Sequence, residues 1–170
     1  EYISTEFSKA GLAAKGNDGG YLQEFEVNDG RMIASSSHLL INGNDLVLDK
    51  DYFPLAFSCN ASLTAVGSIA LQENGSPWFY DIKEMLEANK SNPHFDLTDA
   101  IKLKAADAAK KRATAFFVYN SGALADELKF DPKAKSEQSA IPVIYITKAG
   151  KEKFLKDETA SLDMQLKIFI

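Results

Sequence analysis

The hydrophobic and polar positions follow different periods in the two halves of the chain. In the first half, short segments alternate apolar and polar residues, which predicts antiparallel β-strands. In the second half, segments with a helical period alternate with short continuous apolar runs, which are typical of strands buried on both faces. The pattern therefore predicts an α+β fold, in which a β-rich half is joined to βαβ-like elements.

The first predicted element is a short amphipathic helix. Tyr2, Ile3, Phe7 and Ala10 fall on one helical face, and Gly11 is placed to end the helix in a left-handed conformation. This helix has little of its own chain to pack on. We therefore expect the partner of its apolar stripe to lie elsewhere.

Two tight turns organise the predicted strands of the first half. The sequences "NDG" at 28–30 and "NG" at 42–43 are hairpin signals, because Asn and Gly tolerate the positive φ angles that such turns need. An irregular connection over 49–58 follows the second turn. The predicted strands cover residues 21–27, 32–40, 46–48 and 64–71.

The second half begins with two predicted helices. Ser76 as the N-cap and Pro77 at the first helical position predict a helix over 76–90. Asp96 or Thr98 is predicted to cap the next helix, and small residues on its apolar face predict a close approach to a sheet. That buried face consists of Leu97, Ile101, Ala105, Ala108 and Ala109. The remaining predicted elements are strands at 115–119, 141–146 and 164–170 and a short helix at 147–157.

Length, charge and cysteine content exclude several function classes. With 170 residues the chain suits one domain, or one domain with an arm. The net charge of -5 argues against nucleic-acid binding, because phosphate contacts need clustered Lys and Arg. No run of about 18 apolar residues exists, so no membrane span is predicted. The single cysteine, Cys59, excludes an internal disulfide framework, and we predict that its thiol is buried.

Candidate catalytic and metal-binding residues are few. Ser121 follows a predicted buried strand in "YNSGAL", but it lacks the Gly-x-Ser-x-Gly elbow of serine hydrolases. Only His38 and His94 could act as its base, and Asn-Ser-Gly is an ordinary turn composition. A hydrolase built on Ser121 stays open as an alternative to a turn. Neither histidine lies at the spacing of a zinc site, so no metal site is predicted in this chain.

One aromatic cluster, "PWFYD", is the candidate recognition site. Trp78, Phe79 and Tyr80 cannot all face inward from one turn of the predicted helix, and exposed aromatic side chains favour partner recognition. We therefore predict that Trp78, Phe79, Tyr80 and Asp81 face a partner or a peptide. An alternative function follows, namely an independent peptide- or glycan-binding module that uses this cluster.

The first 25 residues resemble a segment of secreted zinc aminopeptidases of the aminopeptidase-Y-like, co-catalytic zinc class. In that family, a helix ending in Gly-Leu, a Gly-rich loop and a Tyr-x-Gln-x-Phe strand lead into an inserted protease-associated (PA) domain. Gly11 and Leu12 match the end of that helix, and Tyr21, Gln23 and Phe25 match the strand. The resemblance implies that the PA domain follows in this chain.

Three later segments also resemble a PA domain. "DYFPLAFS" is similar to its entry segment, "KAADAAKKRATAFFVYN" to a helix and the strand after it, and "IPVIYITKAGKEKFL" to a later strand and short helix. Arg112 departs from the family, which has Gly there. The turn between helix and strand must therefore be made without glycine. The region 78–95 also looks longer and more helical than in typical members.

The resemblance implies both an architecture and a role. It implies a PA-like β-rich sandwich or barrel with flanking helices, in which residues 1–19 form a helical arm and residues 20–170 the PA-like domain. The arm is expected to belong to the peptidase domain of a longer parent protein, from which this chain is a piece.

The implied role is non-catalytic. PA domains are thought to limit substrate access or to mediate protein contacts, so the expected partners are the parent's peptidase domain and possibly its peptide substrate. The resemblance implies no cofactor in this chain, because zinc is expected in the peptidase domain. It also implies a periplasmic or extracellular location.

Overall fold

In a computed structural model, which describes residues 2–25 and 30–170, the chain forms two four-stranded sheets with α-helices around them. The predicted α+β fold class is confirmed. The helices are α1 (Tyr2–Lys9), α2 (Lys83–Asn89), α3 (Leu97–Lys110) and α4 (Lys148–Phe154). The strands are β1 (His38–Ile41), β2 (Asn44–Asp45), β3 (Tyr52–Pro54), β4 (Ala61–Gly67), β5 (Trp78–Asp81), β6 (Phe116–Tyr119), β7 (Val143–Ile146) and β8 (Leu162–Ile168).

The first sheet is antiparallel and has the order β2-β1-β8-β4. Its strands alternate buried and exposed residues, so one face packs on the core and the other faces solvent. The predicted "NG" turn between β1 and β2 is confirmed, since Asn42 and Gly43 have φ angles of 51° and 75°.

The second sheet has the order β3-β7-β6-β5. Strands β5, β6 and β7 run parallel, and β3 pairs antiparallel with β7. All residues of β6 and β7 are buried, as their continuous apolar runs predict. One side of this sheet faces the first sheet across a shared hydrophobic core, and the other side is covered by α3.

Helix α3 forms as its local signals predict. The Asp96 carboxylate accepts a hydrogen bond from the Asp99 amide at 3.0 Å, so Asp96 is the N-cap. The predicted face packs on the second sheet through Ile101, Ala105 and Ala108. The two alanines let the helix lie close to the strands beneath it.

The turn from α3 to β6 is made by Arg112 in a left-handed conformation, with a φ angle of 63°. The Ala113 amide donates to the Ala108 carbonyl oxygen at 3.0 Å, which is the bond pattern of a glycine-type helix end. The sequence predicts a turn without glycine here, and the structure shows that Arg112 takes the glycine conformation.

We expect Arg112→Gly to raise the free energy of unfolding by about 0.5–1 kcal/mol, because glycine removes the strain of a Cβ in this conformation. Urea denaturation of the two proteins checks this. Arg112→Ala is the matched control, because it removes the same exposed side chain but keeps the Cβ. Equal gains from both substitutions would show that the side chain, and not the backbone, is responsible.

The predicted strand over 21–27 is wrong in its described part. Residues 21–25 form no ladder. Instead the Tyr21 hydroxyl donates to the Leu12 carbonyl oxygen at 2.6 Å, and its ring lies 6.0 Å from that of Phe7. Apolar and polar residues alternate over this segment, but no strand among the described residues pairs with it. The "NDG" turn falls mostly on 26–29, which lie outside the described residues.

The other predicted strands of the first half form with changed limits. Only the end of the predicted strand 32–40 is a strand, and 46–48 lies just beyond the two-residue β2. The irregular connection 49–58 contains β3, and β4 begins three residues before the predicted strand.

Cys59 is half-buried rather than buried, and this partial burial raises the pKa of its thiol.

The helix predicted over 76–90 is wrong at its beginning. Residues Trp78–Asp81 form strand β5, and the helix starts only at Lys83. Trp78 packs into the core beneath α3, whereas Phe79 stacks on Phe117 between the sheets at 5.0 Å. Burial of two adjacent aromatic side chains on opposite faces requires a strand, and it overrides the local helix signals.

Asp51 ties the segment before β3 to helix α4. Its side chain is 2% exposed and accepts from Lys153 Nζ at 2.8 Å and from the Val47 amide at 3.0 Å. Burial alone would raise the pKa of Asp51, but these hydrogen bonds and the lysine charge outweigh it and hold the pKa below 3.8.

The lowered pKa of Asp51 predicts acid sensitivity. Its carboxylate stabilises the fold above pH 3.8 and loses that effect as the pH falls below this value. We expect Asp51→Asn to be less stable than wild type near pH 6, and the difference to shrink towards about pH 3. Urea titrations across this range measure it, with exposed Asp163→Asn as the control. A difference that does not depend on pH would contradict the role of the Asp51 charge.

Within the described part of the chain, no helix has both the length and the apolar character needed to cross a membrane.

Candidate functional site

The parallel strands of the second sheet end at one edge. Asp81, Tyr119 and Ile146 are in register at the carboxyl ends of β5, β6 and β7. Open α/β sheets commonly bind ligands at this edge. After β6 the chain enters a connection over 120–141 that has neither helix nor strand, and connections of this length are often functional.

Asp81 and Ser121 join the ends of β5 and β6. The Asp81 carboxylate accepts hydrogen bonds from the Ser121 hydroxyl, from the Ser121 amide at 3.1 Å and from the Lys83 amide at 3.0 Å. It thereby fixes both the turn after β6 and the start of α2. This arrangement gives Asp81 a structural role that its position in the sequence did not reveal.

The structure gives Ser121 no histidine partner. Among the described residues, no hydrogen bond joins Ser121 to His38 or His94. His38 lies on β1 of the first sheet with Nδ1 3.2 Å from the Ser36 carbonyl oxygen, and His94 is exposed in the turn before α3. The geometry favours the turn over the hydrolase alternative.

A network around Asp126 anchors the 120–141 connection. The Asp126 carboxylate accepts from the Tyr145 hydroxyl at 2.6 Å, from the Asn120 amide group at 2.8 Å and from the Leu128 backbone amide at 3.1 Å. Burial raises the pKa of Tyr145 well above its usual value, and the hydrogen bond to Asp126 raises it further. Tyr145 therefore stays protonated and serves as a permanent donor to Asp126.

The 120–141 connection forms one wall of a groove of about 840 Å³. Phe53 and Tyr145 form its aromatic floor, with ring centroids 5.1 Å apart. Charges of both signs lie around the floor and at the rim, contributed by Asp49, Asp126, Lys129 and Lys148. An aromatic floor with a few polar groups around it is the usual lining of a ligand pocket.

Arg31 holds this groove together. Its guanidinium donates to the Ala56 carbonyl oxygen and, at 2.7 Å, to the Ser136 carbonyl oxygen, while its backbone amide donates to the Pro132 carbonyl oxygen at 2.7 Å. One side chain thus links the segment after β3 with the 120–141 connection. The guanidinium therefore has a structural role, because its hydrogen bonds hold two walls of the groove together.

The predicted partner-facing residues lie in β5, away from the floor of this groove. Trp78 and Phe79 are 8% and 3% exposed, and the Trp78 indole donates to the Glu73 carbonyl oxygen at 2.8 Å. Tyr80 and Asp81 are half-buried and are the part of the cluster that solvent reaches. Their partner-facing role stays a prediction, whereas an aromatic platform that needs exposed Trp78 does not fit its burial.

Sequence reasoning missed the groove residues Arg31, Phe53, Asp126 and Tyr145. They come from four distant segments. Phe53 and Tyr145 lie in segments that resemble a PA domain, but nothing in those segments marks either residue as part of a site. The available signal was the long, charged connection over 120–141 between two buried strands, since connections of this length are uncommon in compact domains and are often functional.

No group of three or more His, Cys, Asp or Glu side chains that could hold a metal ion occurs among the residues described by the structure.

Comparison with known proteins found a likeness in solved structures. Two structures of BSAP, a zinc aminopeptidase from Bacillus subtilis, match with TM-scores of 0.49 and 0.48 and 19% sequence identity. Each match covers 82% of this chain and 32% of the aminopeptidase chain, so the chain spans about a third of that protein. No family model and no curated protein sequence matches.

Proposed function

We propose that this chain is a non-catalytic PA domain of an exported zinc-dependent aminopeptidase, in which it contacts the peptidase domain and limits substrate access. The proposal rests on the order of the resembling segments along the chain. The structure adds one observation that carries the docking part of the proposal, namely the exposed apolar face of the arm.

The arm presents apolar side chains without burying them. Tyr2, Ile3 and Phe7 on α1 are 78%, 63% and 41% exposed, and none of the residues of α1 is buried. Burial of such side chains in an interface would stabilise it by about 1.5–3 kcal/mol each. An apolar stripe of this kind is typical of a surface that a partner covers.

The arm is also shaped for docking. Gly11, with a φ angle of 71°, ends α1, and the Leu12 amide donates back to the Phe7 carbonyl oxygen at 3.1 Å. Tyr21 then packs on Phe7 and holds the helix against the following loop. The fixed helix end keeps the apolar stripe on one side, where the peptidase domain would cover it.

In this proposal, residues 1–19 pack on the peptidase domain and residues 20–170 form the PA domain. The zinc ions and their ligands belong to the peptidase domain. Export places the protein in the periplasm or outside the cell.

The first test is to read the coding sequence on either side of Glu1–Ile170. We expect a downstream stretch with His, Asp and paired Glu residues at the spacing of a co-catalytic zinc site. An open reading frame without such a stretch would overturn the aminopeptidase assignment.

A second test is the zinc content and peptidase activity of the purified chain. We expect no stoichiometric zinc and no cleavage of aminoacyl-p-nitroanilides, because the catalytic groups are assigned to another domain. Stoichiometric zinc in a metal assay would contradict the non-catalytic role.

A peptide-binding module is the second candidate function, and the groove over Phe53 and Tyr145 is the observation that favours it. Titration of the isotope-labelled chain with short apolar peptides tests it by NMR. Shifts confined to residues around Phe53 and Tyr145 would support peptide binding at the groove. Shifts around Tyr80 would favour the aromatic cluster instead.

A further inference from the structure

The sequence contains two Asn-Gly steps, Asn42-Gly43 and Asn74-Gly75. Asparagine before glycine is especially prone to deamidation, because glycine has no side chain to shield its backbone nitrogen. Both asparagines are exposed, and both glycines have positive φ angles, of 75° and 82°. Exposure and the glycine conformation therefore do not distinguish the two steps, whereas the hydrogen bonds around them do.

Deamidation starts when the backbone nitrogen of the glycine attacks Cγ of the asparagine side chain. The nitrogen and Cγ close a succinimide ring, and Nδ2 leaves as ammonia, which carries away the proton that the glycine nitrogen gives up. Water then opens the ring at either carbonyl group and yields aspartate or isoaspartate. The attacking nitrogen must be free of other hydrogen bonds, and an N–H group that donates to Oδ1 stabilises the negative charge that develops there.

The nitrogen of Gly75 is already in use. Its amide donates to the Arg112 carbonyl oxygen at 2.9 Å. A second bond ties the same turn to the segment after α3, since the Thr114 amide donates to the Ser76 carbonyl oxygen at 3.0 Å. Deamidation of Asn74 would require the turn to separate from this segment first.

The nitrogen of Gly43 is accessible. Asn42 and Gly43 are the two central residues of the β1–β2 turn, and the amide of the second central residue takes no part in the bond that closes such a turn. Within residues 2–25 and 30–170, no acceptor bonds to the Gly43 amide, and only its chain neighbours come within 4 Å of the place a Cβ would take. Water can therefore reach this nitrogen.

The side chain of Asn42 is held by a donor. Its Oδ1 accepts from the Asp163 backbone amide at 2.8 Å, and the Asn42 amide donates to the Asp163 carbonyl oxygen at 2.8 Å. The Asp163 amide thus donates to the oxygen that becomes negatively charged when Gly43 attacks. It would stabilise that charge as the donors of an oxyanion hole do.

We propose that Asn42 is a deamidation site of the folded chain, assisted by the Asp163 amide. The identical step at Asn74 is protected by the bond from Gly75 to Arg112.

The products would change the β1–β2 hairpin. Isoaspartate carries the main chain through its side chain and so lengthens the turn, and Ile41 and Asn44 could then no longer keep their register. Either product also adds a negative charge to a hairpin that already contains Asp45. Deamidation would therefore loosen the edge strand β2.

Peptide mapping of the intact chain by mass spectrometry tests the proposal. The folded protein is kept in mildly alkaline buffer and sampled over time. We expect deamidation at Asn42 to be about fivefold faster or more than at Asn74, because opening the Gly75 bond adds to the barrier there. Equal rates at the two steps, or a faster rate at Asn74, would overturn the proposal.

The same incubation in concentrated urea is the matched control. Unfolding removes the bonds of both Gly75 and Asp163, so we expect the two rates to converge. A difference as large in urea as in the folded chain would come from the flanking residues, and it would overturn the role assigned to the fold.

Two variants identify the source of the added charge. Asn42→Gln needs a larger ring for the same attack and deamidates much more slowly. We expect the wild-type chain to accumulate an acidic form in ion-exchange chromatography, which Asn42→Gln suppresses and Asn74→Gln, the matched control, leaves unchanged. An acidic form that accumulates in Asn42→Gln at the wild-type rate would place the main site at another residue and overturn the proposal.

Discussion

Asp126→Ala is expected to lower the free energy of unfolding by about 3 kcal/mol, because it removes the charged acceptor of three hydrogen bonds. The Tyr145 hydroxyl, in a residue that is 6% exposed, would lose its partner, and the Asn120 Nδ2 group would lose one of its two acceptors and keep the Leu124 carbonyl oxygen. Each polar group left without a partner in the interior adds its desolvation cost. Urea denaturation followed by circular dichroism measures the change.

The matched control for Asp126 is Asp131 on the same connection. Asp131 is exposed, and its carboxylate accepts one hydrogen bond, from the Lys133 amide at 2.9 Å. Asp131→Ala is therefore expected to cost about 0.5 kcal/mol. If both substitutions cost the same, the Asp126 network does not anchor the connection. The groove wall would then depend on its other bonds, such as those from Arg31 and from the Ser139 amide to the Phe57 carbonyl oxygen.

Gly150→Ala is expected to destabilise the fold by about 3 kcal/mol, although glycine to alanine inside a helix normally stabilises it. A Cβ at Gly150 would lie 2.1 Å from the Asp51 carbonyl oxygen and 3.0 Å from Ile146 Cγ2. The oxygen belongs to the backbone and accepts from the Thr147 amide, so it cannot move aside without breaking that bond. Helix α4 would have to shift away from β3.

The exposed Glu152 of the same helix provides the control. Glu152→Ala adds no contact with the sheet, so its effect on the free energy of unfolding is expected to stay within about 0.5 kcal/mol. Thermal and urea unfolding of both variants compare them directly. A Gly150→Ala protein as stable as wild type would mean that α4 and the Asp51 segment can separate at little cost.

The parts of the fold that could be predicted are those fixed by local signals. Asp96 caps α3 through a bond three residues away, and the alanine face of that helix is set by its period. The continuous apolar runs of β6 and β7 indicate burial on both faces of the sheet. Successive side chains of a strand point to opposite faces, and in these strands both sets are apolar. In each case the deciding interactions lie within the segment itself.

Strand β5 could not be predicted, because its deciding contacts are distant in the sequence. Phe79 stacks on Phe117, and Trp78 packs beneath α3. The same limit applies to residues 21–25, whose alternating pattern is that of a strand but which pair with no strand among residues 2–25 and 30–170. A hydrophobic period shows which faces are apolar, and the rest of the chain decides what covers them.

The candidate site was the least predictable feature for a similar reason. Arg31 acts through the carbonyl oxygens of Ala56 and Ser136, and backbone acceptors leave no trace in the sequence. Asp126 resembles any other aspartate of a polar connection until the fold brings Tyr145 to it. Residue type alone does not distinguish such groups from solvated ones.

The order of strands in the first sheet also determines when that sheet can form during translation. Strand β8 lies between β1 and β4, and His38 pairs with Lys167, yet β8 is translated long after both of its neighbours. Until β8 emerges from the ribosome, β1 and β4 have no central strand to pair with, and their apolar faces remain exposed to solvent. Such non-local pairing slows folding and leaves nascent chains prone to aggregation. The nascent chain therefore exposes the apolar faces of β1 and β4 for the whole interval between the translation of β4 and that of β8.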